Sequence, residues 1–329
     1  MNYRKLIVES WQYTQKNKKL IRWCGFFPAI FTTTIAVWYI AYQFFAFKES
    51  YLFSADHESF FSEVMLMIWD FIIVHVSWTV PIILFVAIFF MCYLFVPTLT
   101  KATAIQFIAR HKNGQNLTIG DSLKHAFFSF LRLFEYHLLI KTFGFFTILL
   151  EMSFVLRNLG PMMFKFLLPI FIIIMVVGFL LTLLFTYTDF FIVVDNKKVF
   201  ESIKGSIKLV ILNWKHTFLI TILMILIGIR IIIQIFMVFL IPILIIMTTG
   251  YIATIVLPFT AVIIGAILGV ICLIIAAYLN GIVDIFSYSV WTTTFLELTA
   301  QKEVSAREVF VDDLGEKPHD YHGHKNLEN

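Results

Sequence analysis

The sequence predicts an all-α, polytopic integral membrane fold of six transmembrane helices with in-plane amphipathic helices, and three observations lead there. Of the 329 residues, 60% are hydrophobic and 14% charged, against about 25% charged in ordinary soluble domains. The apolar residues also come in long blocks: residues 23–47, 71–100, 166–188 and 231–283 contain no Asp, Glu, Lys or Arg. Third, lysine and arginine collect in the segments between every second block. A water-soluble fold of this length is excluded.

About 20 residues span the ~30 Å hydrocarbon core, so the 53-residue block 231–283 must cross twice. The reading places an amphipathic helix at 1–22, then crossings at 23–47 and 71–100. A second amphipathic helix at 118–132 leads into a crossing at 133–157, accepted although Glu135, Lys141 and Glu151 fall in it. The fourth crossing is 166–190, the third amphipathic helix 197–215, and the last crossings 216–246 and 254–290. Residues 1–300 form one helical membrane domain, and 301–329 a polar tail expected to be disordered.

The third crossing keeps the basic loops on one side. Segments 1–22, 101–132, 189–215 and the chain after 297 then hold twenty Lys and Arg, and the opposite side three: Lys48, Arg157 and Lys165. This positive-inside pattern predicts cytoplasmic termini in an inner, cytoplasmic membrane. The opening MNYRKLIVESWQYTQKNKKLIRW lacks the short lead and cleavage site of a secretory signal, so the first crossing is expected to be a retained anchor. Cys24, Cys92 and Cys272 lie in or beside apolar spans without close spacing, which indicates neither a disulfide framework nor a zinc site. The net charge of +4 suits anionic lipid headgroups at the cytoplasmic face and no nucleic acid.

SLKHAFFSFLRLFEYHLLI at 122–140 and SIKGSIKLVILNWKHTFLI at 202–220 align at an offset of 80, pairing Ser122 with Ser202 and Lys124 with Lys204. In the later copy Ile203, Ile207, Val210, Ile211 and Trp214 share one helical arc, while Lys204, Lys208 and Lys215 keep largely to another, as an interfacial helix requires. Glu9, Ser10, Thr14 and Asn17 echo Glu201, Ser202, Ser206 and Asn213 with a four-residue gap. The expectation is three tandem units, each a surface helix followed by a transmembrane hairpin. The alternative is that basic amphipathic helices recur before membrane spans without duplication.

Charges within hydrocarbon are costly and point to function or pairing. Arg230 lies 15 residues beyond Lys215, about 22 Å into its span, and the repeat places Glu151 at nearly the same depth. A Glu151–Arg230 contact is one reading, with Arg230 snorkelling to the outer interface as its rival. Lys141 and Asp284 form a second pair that a hydrated vestibule would need. Asp70 and His75 are a remote candidate for a proton relay. Ala261, Gly265 and Gly269, four apart, predict a packing seam for a helix of this chain or of a second copy. His319, Asp320, His322 and His324 match no closed metal site. No P-loop, GxSxG, HExxH or paired CxxC motif is present, so no catalytic residue, metal or cofactor is expected.

The stretch TYTDFFIVVDNKKVFESIKGSIKLVILNWKHTFLI, with its acidic turn at Asp195 and the helix signature Glu201, Ser202 and Ser206, resembles the recurring phrase of a group of six-span bacterial membrane proteins. The group includes the YciC-like inner-membrane proteins and the membrane domain attached to some glycerophosphodiester phosphodiesterases. The resemblance implies a bacterial cytoplasmic membrane and a lipid or envelope context. It transfers no catalytic residue, because the phosphodiesterase activity resides in a separate soluble barrel of about 250 residues. The sequence therefore reads as a non-enzymatic, lipid-interacting or envelope-organising protein, with a homo-oligomer or membrane partner engaged through the sixth span. The alternative is a small-solute transporter or lipid translocase with Arg230, Glu151, Lys141 and Asp284 lining its path.

Overall fold

Asn2 opens the first helix by accepting a hydrogen bond from the Lys5 N–H at 3.2 Å, which satisfies one of the donors a helix start leaves unpaired. Helix α1 (Tyr3–Lys16) ends where the Asn17 side-chain amide donates to the Tyr13 carbonyl at 2.8 Å. A short α2 (Lys18–Leu20) and a π-helical segment (Ile21–Phe26) lead into α3 (Phe27–Lys48). Then follow α4 (Phe60–Val74), α5 (Val76–Lys112), α6 (Ile119–Lys141), α7 (Phe145–Asn158), α8 (Gly160–Leu184), α9 (Thr188–Val193) and α10 (Val199–Leu212). Helix α11 (Trp214–Ile229) and α12 (Pro258–Leu314) complete the order. The structure, a computed structural model, describes residues 2–48, 60–115, 117–141, 144–229 and 258–314, and among these there is no strand.

Among the described residues four helical stretches are long and apolar enough to cross a membrane: Lys18–Tyr39, Val76–Lys112, Gly160–Leu184 and Gly269–Ala300. A fifth results if α10 and α11, bent by 96° at their junction, count as one span. Only 6% of the apolar stretch of α5 and of α8 is buried, and Trp78, Phe85 and Phe166 stand exposed. In water such surface would be covered; against lipid tails it needs no cover.

The core sits at one end of the bundle. Helix α5 is about 55 Å long at 1.5 Å per residue, well beyond the ~30 Å of hydrocarbon, and from Thr98 onward it turns from exposed to buried. Ala102, Ala104, Ile105 and Ile108 there are fully buried, as are Ala277, Ile285, Val290 and Leu298 of α12 within a few per cent. These two protruding ends act as pillars for the short helices. The main cluster joins Ile105 and Phe295 of the pillars to Leu133 of α6, Phe190 to Val193 of α9 and Leu209 of α10. A smaller one seats Leu6 of α1 on Ile220 of α11 and Phe286 of α12.

Several expectations are corrected. The third crossing is not one helix over 133–157: α6 runs unbroken from Ile119 to Lys141, through the expected 132/133 boundary, and α7 begins only at Phe145. The reason lies at one residue. Asn213 ends α10 by donating its side-chain amide to the Leu209 carbonyl at 3.2 Å, whereas the aligned position in α6 is Leu133, which offers the backbone no competing partner. Helix α12 continues to Leu314, into the segment read as a disordered tail, since no Gly or Pro interrupts 282–314 and Gly315 is the first. The arc of α10 assigned to the acyl boundary is divided: Val210 is buried against the protein and Ile211 exposed, with Ser202, Ser206 and Leu209 on the inward face.

Candidate functional site

The break between α8 and α9 builds the site. Helix α8 leaves unpaired carbonyls at its C-terminus; two side chains close that end and a third closes the far end of α9. The Ser206 hydroxyl donates to the Leu184 carbonyl at 2.7 Å and accepts from the Tyr187 N–H at 3.0 Å. The Tyr136 hydroxyl donates to the Phe185 carbonyl at 3.2 Å, and Gln106 donates to the Val193 carbonyl at the far end of α9. The next turn holds Asn196 at φ +55°, with Arg132 donating to the Asn196 carbonyl at 2.7 Å. The phrase 186–206 therefore folds as a stitched corner.

That corner delivers Asp189, in the first turn of α9, into the core. Its carboxylate pairs with the Lys101 ammonium from α5 and lies 3.3 Å from His137 Nε2 of α6. Lys101 Nζ is also 3.4 Å from that ring nitrogen. A proton on Nε2 is donated to Asp189; without it, Nε2 accepts from Lys101. Burial alone would push the Asp189 carboxyl up, but the Lys101 and His137 charges and their hydrogen bonds outweigh it and hold the carboxyl well below the usual range. Lys101 is also 5.9 Å from the Tyr288 ring centroid of α12 and within electrostatic reach of Asp284. His137 borders a crevice of about 160 Å³ between α3, α5 and α6, lined also by Thr32, Tyr93 and Thr98.

Of the residues singled out from the sequence, Asp284 alone joins this cluster, half-buried on α12. Glu151 is exposed on α7. Arg230, and with it the expected contact to Glu151, lies outside the described residues, as do the side chain of Lys141 and the tail histidines. Asp70 and His75 are both exposed. Arg157, expected at an aqueous face, is instead buried and donates to the Tyr42 hydroxyl at 3.2 Å. Gly269 faces open space, and the side-chain positions of Ala261 and Gly265 lie outside the described residues. The close approach of α12 occurs further along, where a Cβ on Gly281 would stand 2.5 Å from the Gly25 carbonyl carbon.

Lys101, His137 and Asp189 were absent from the sequence candidates. A signal for two of them was present: Lys101 and Asp189 are the first charges after the uncharged blocks 71–100 and 166–188. Two spans running the same way deliver such charges to one depth, where opposite signs pair. Among the described residues no group of three or more His, Cys, Asp or Glu could hold a metal.

No family model, no curated protein and no solved structure matches the chain.

Proposed function

We propose that the chain is a non-enzymatic, lipid-interacting or envelope-organising integral protein of the bacterial cytoplasmic membrane. Both termini are cytoplasmic, and α1, the first half of α6 and α10 lie along the inner leaflet as the surface helices of three tandem units. One observation carries the reading. The aligned pairs Ser10 and Thr14, Ser122 and Ala126, Ser202 and Ser206 are all fully buried, at 0% exposure. Small side chains four apart let α1 lie close on α12, the first half of α6 on α5, and α10 on α8 and α9, and each turns lysine and large apolar side chains outward: Lys5 and Trp11, Lys124 and Phe128, Lys204 and Phe200, with Glu9 and Glu201 among them. That is the composition of an interfacial surface. The likeness of the phrase 186–220 to the YciC-like proteins agrees with it.

Depth measurement tests the proposal. In vesicles of phosphatidylglycerol and phosphatidylcholine, with the native cysteines replaced, a fluorophore on Phe200→Cys should be quenched by shallow nitroxide lipids, and one on Lys204→Cys by an aqueous quencher. Equal aqueous quenching of both would defeat it.

A transporter reading is favoured by one observation, the ionic cluster of Lys101, His137, Asp189 and Asp284 beside a crevice. Transport needs a wetted path through the bilayer. Cysteines placed along α5, α8 and α12 should stay protected from a water-soluble thiol reagent beyond the cluster, whereas a continuous labelled stripe would favour transport.

A further inference from the structure

Between the N-terminal lysines, α3 and the α5–α6 hairpin lies a groove of about 900 Å³, at the upper end of the ~300–1,000 Å³ typical of ligand sites. We infer that it binds a single anionic phospholipid, a conclusion that rests on the membrane reading above and assigns it one specific lipid site. The lining divides by chemistry. Lys16, Lys18 and Lys19 line it, and among the described residues no Asp or Glu does. Trp23, Phe27, Leu99 and Leu123 form apolar walls, with the Trp23 and Phe27 rings 6.4 Å apart, centroid to centroid.

The order of these groups along the chain matches the order along a lipid. The lysines open the apolar stretch Lys18–Tyr39, which puts them where a span leaves the hydrocarbon. Trp23 and Phe27 follow about one and two turns further in. They are 58% and 42% exposed, so the groove opens sideways and an acyl chain can enter from the bilayer. A soluble anion would use the lysines and leave the walls empty; an apolar peptide would use the walls and leave three cations unmatched. An anionic phospholipid satisfies both.

The π-helical segment explains how one helix serves two surfaces. Its extra residue per turn, a device frequent at functional sites, lets Trp23 and Cys24 line the groove while Gly25 touches the backbone of Gly281 on the other side.

Native mass spectrometry of the full chain, released from vesicles holding equal phosphatidylglycerol and phosphatidylcholine, tests this. The wild type should retain one phosphatidylglycerol per chain. A lysine near an anionic headgroup contributes about fivefold in affinity, so Lys16→Gln, Lys18→Gln and Lys19→Gln together should weaken retention on the order of 100-fold. Leu99→Trp, which crowds the apolar wall and spares the lysines, should also weaken it. Retention unchanged in both variants, or phosphatidylcholine held as well as phosphatidylglycerol, overturns the site. Lys204→Gln with Lys208→Gln separates the two proposals. Those lysines lie on α10, so the bound lipid should survive their loss. Depth probes failing on α10 while the groove keeps its lipid would count against the surface helices alone.

Discussion

At the scale of single residues, Asp189 is the group whose removal should be felt most. Its carboxylate compensates Lys101 and His137 in a buried setting. Breaking one partner of a buried pair costs about 3–5 kcal/mol, because the other charge is stranded, while replacing both with apolar groups costs much less. Asp189→Asn should therefore lower the melting temperature in detergent more than Asp189→Leu combined with Lys101→Met, and the reverse ranking would show that the cluster is not held by charge. The pH dependence follows from the depressed carboxyl. The unfolded carboxyl titrates near ~3.9 and the folded one lower, so the contribution is complete above that value and is lost as acidification passes through it towards the folded one. Asp189 should add no pH dependence to stability between about pH 6 and 8, and stability should fall below about pH 4 in the wild type more than in the double variant. Ser206→Ala leaves the Tyr187 N–H and Leu184 carbonyl without their partner and should cost about 1–3 kcal/mol, measurable by the same melting experiment.

At the scale of elements, the packing of α12 is the point where periodicity and structure part company. The helix carries two runs of small residues, Ala261, Gly265, Gly269 and then Ala277, Gly281. Spacing alone makes both equally good seams. At the second another backbone, the π-helical segment, comes within contact of Gly281, whereas Gly269 of the first has nothing within 4 Å of its Cβ position. Gly281→Ala should destabilise the fold by about 1–3 kcal/mol or more through overpacking, and Gly269→Ala, with nothing within 4 Å of its Cβ position, should be neutral to within ~0.5 kcal/mol. Equal effects in thermal melts would refute the crossing. The helix α10 was more legible. The reading 197–215 contains α10 at Val199–Leu212, since lysine periodicity marks it. The boundary inside α6 was not legible, because a helical pattern does not carry the single residue, Asn213 or Leu133, that decides whether the helix stops.

At the scale of the whole molecule, the long apolar helices lie at one end among exposed hydrophobic side chains and at the other in a polar-studded core. A reporter fused in the loop at Lys197 and Lys198 should be active only in the cytoplasm, and an extracytoplasmic signal there would invert the proposed orientation of α1, α6 and α10 together.

What the sequence determined by itself is the solvent of each segment. Hydrocarbon taxes every charge and every unpaired backbone group where it stands, so a block without Asp, Glu, Lys or Arg can be read one residue at a time. Tertiary structure decided which charges meet, where α12 is crossed, and that a lysine-rimmed groove opens beside Trp23. Those depend on residues such as Lys101, His137 and Asp189, far apart in the chain, arriving at one point, and no local pattern encodes that distance.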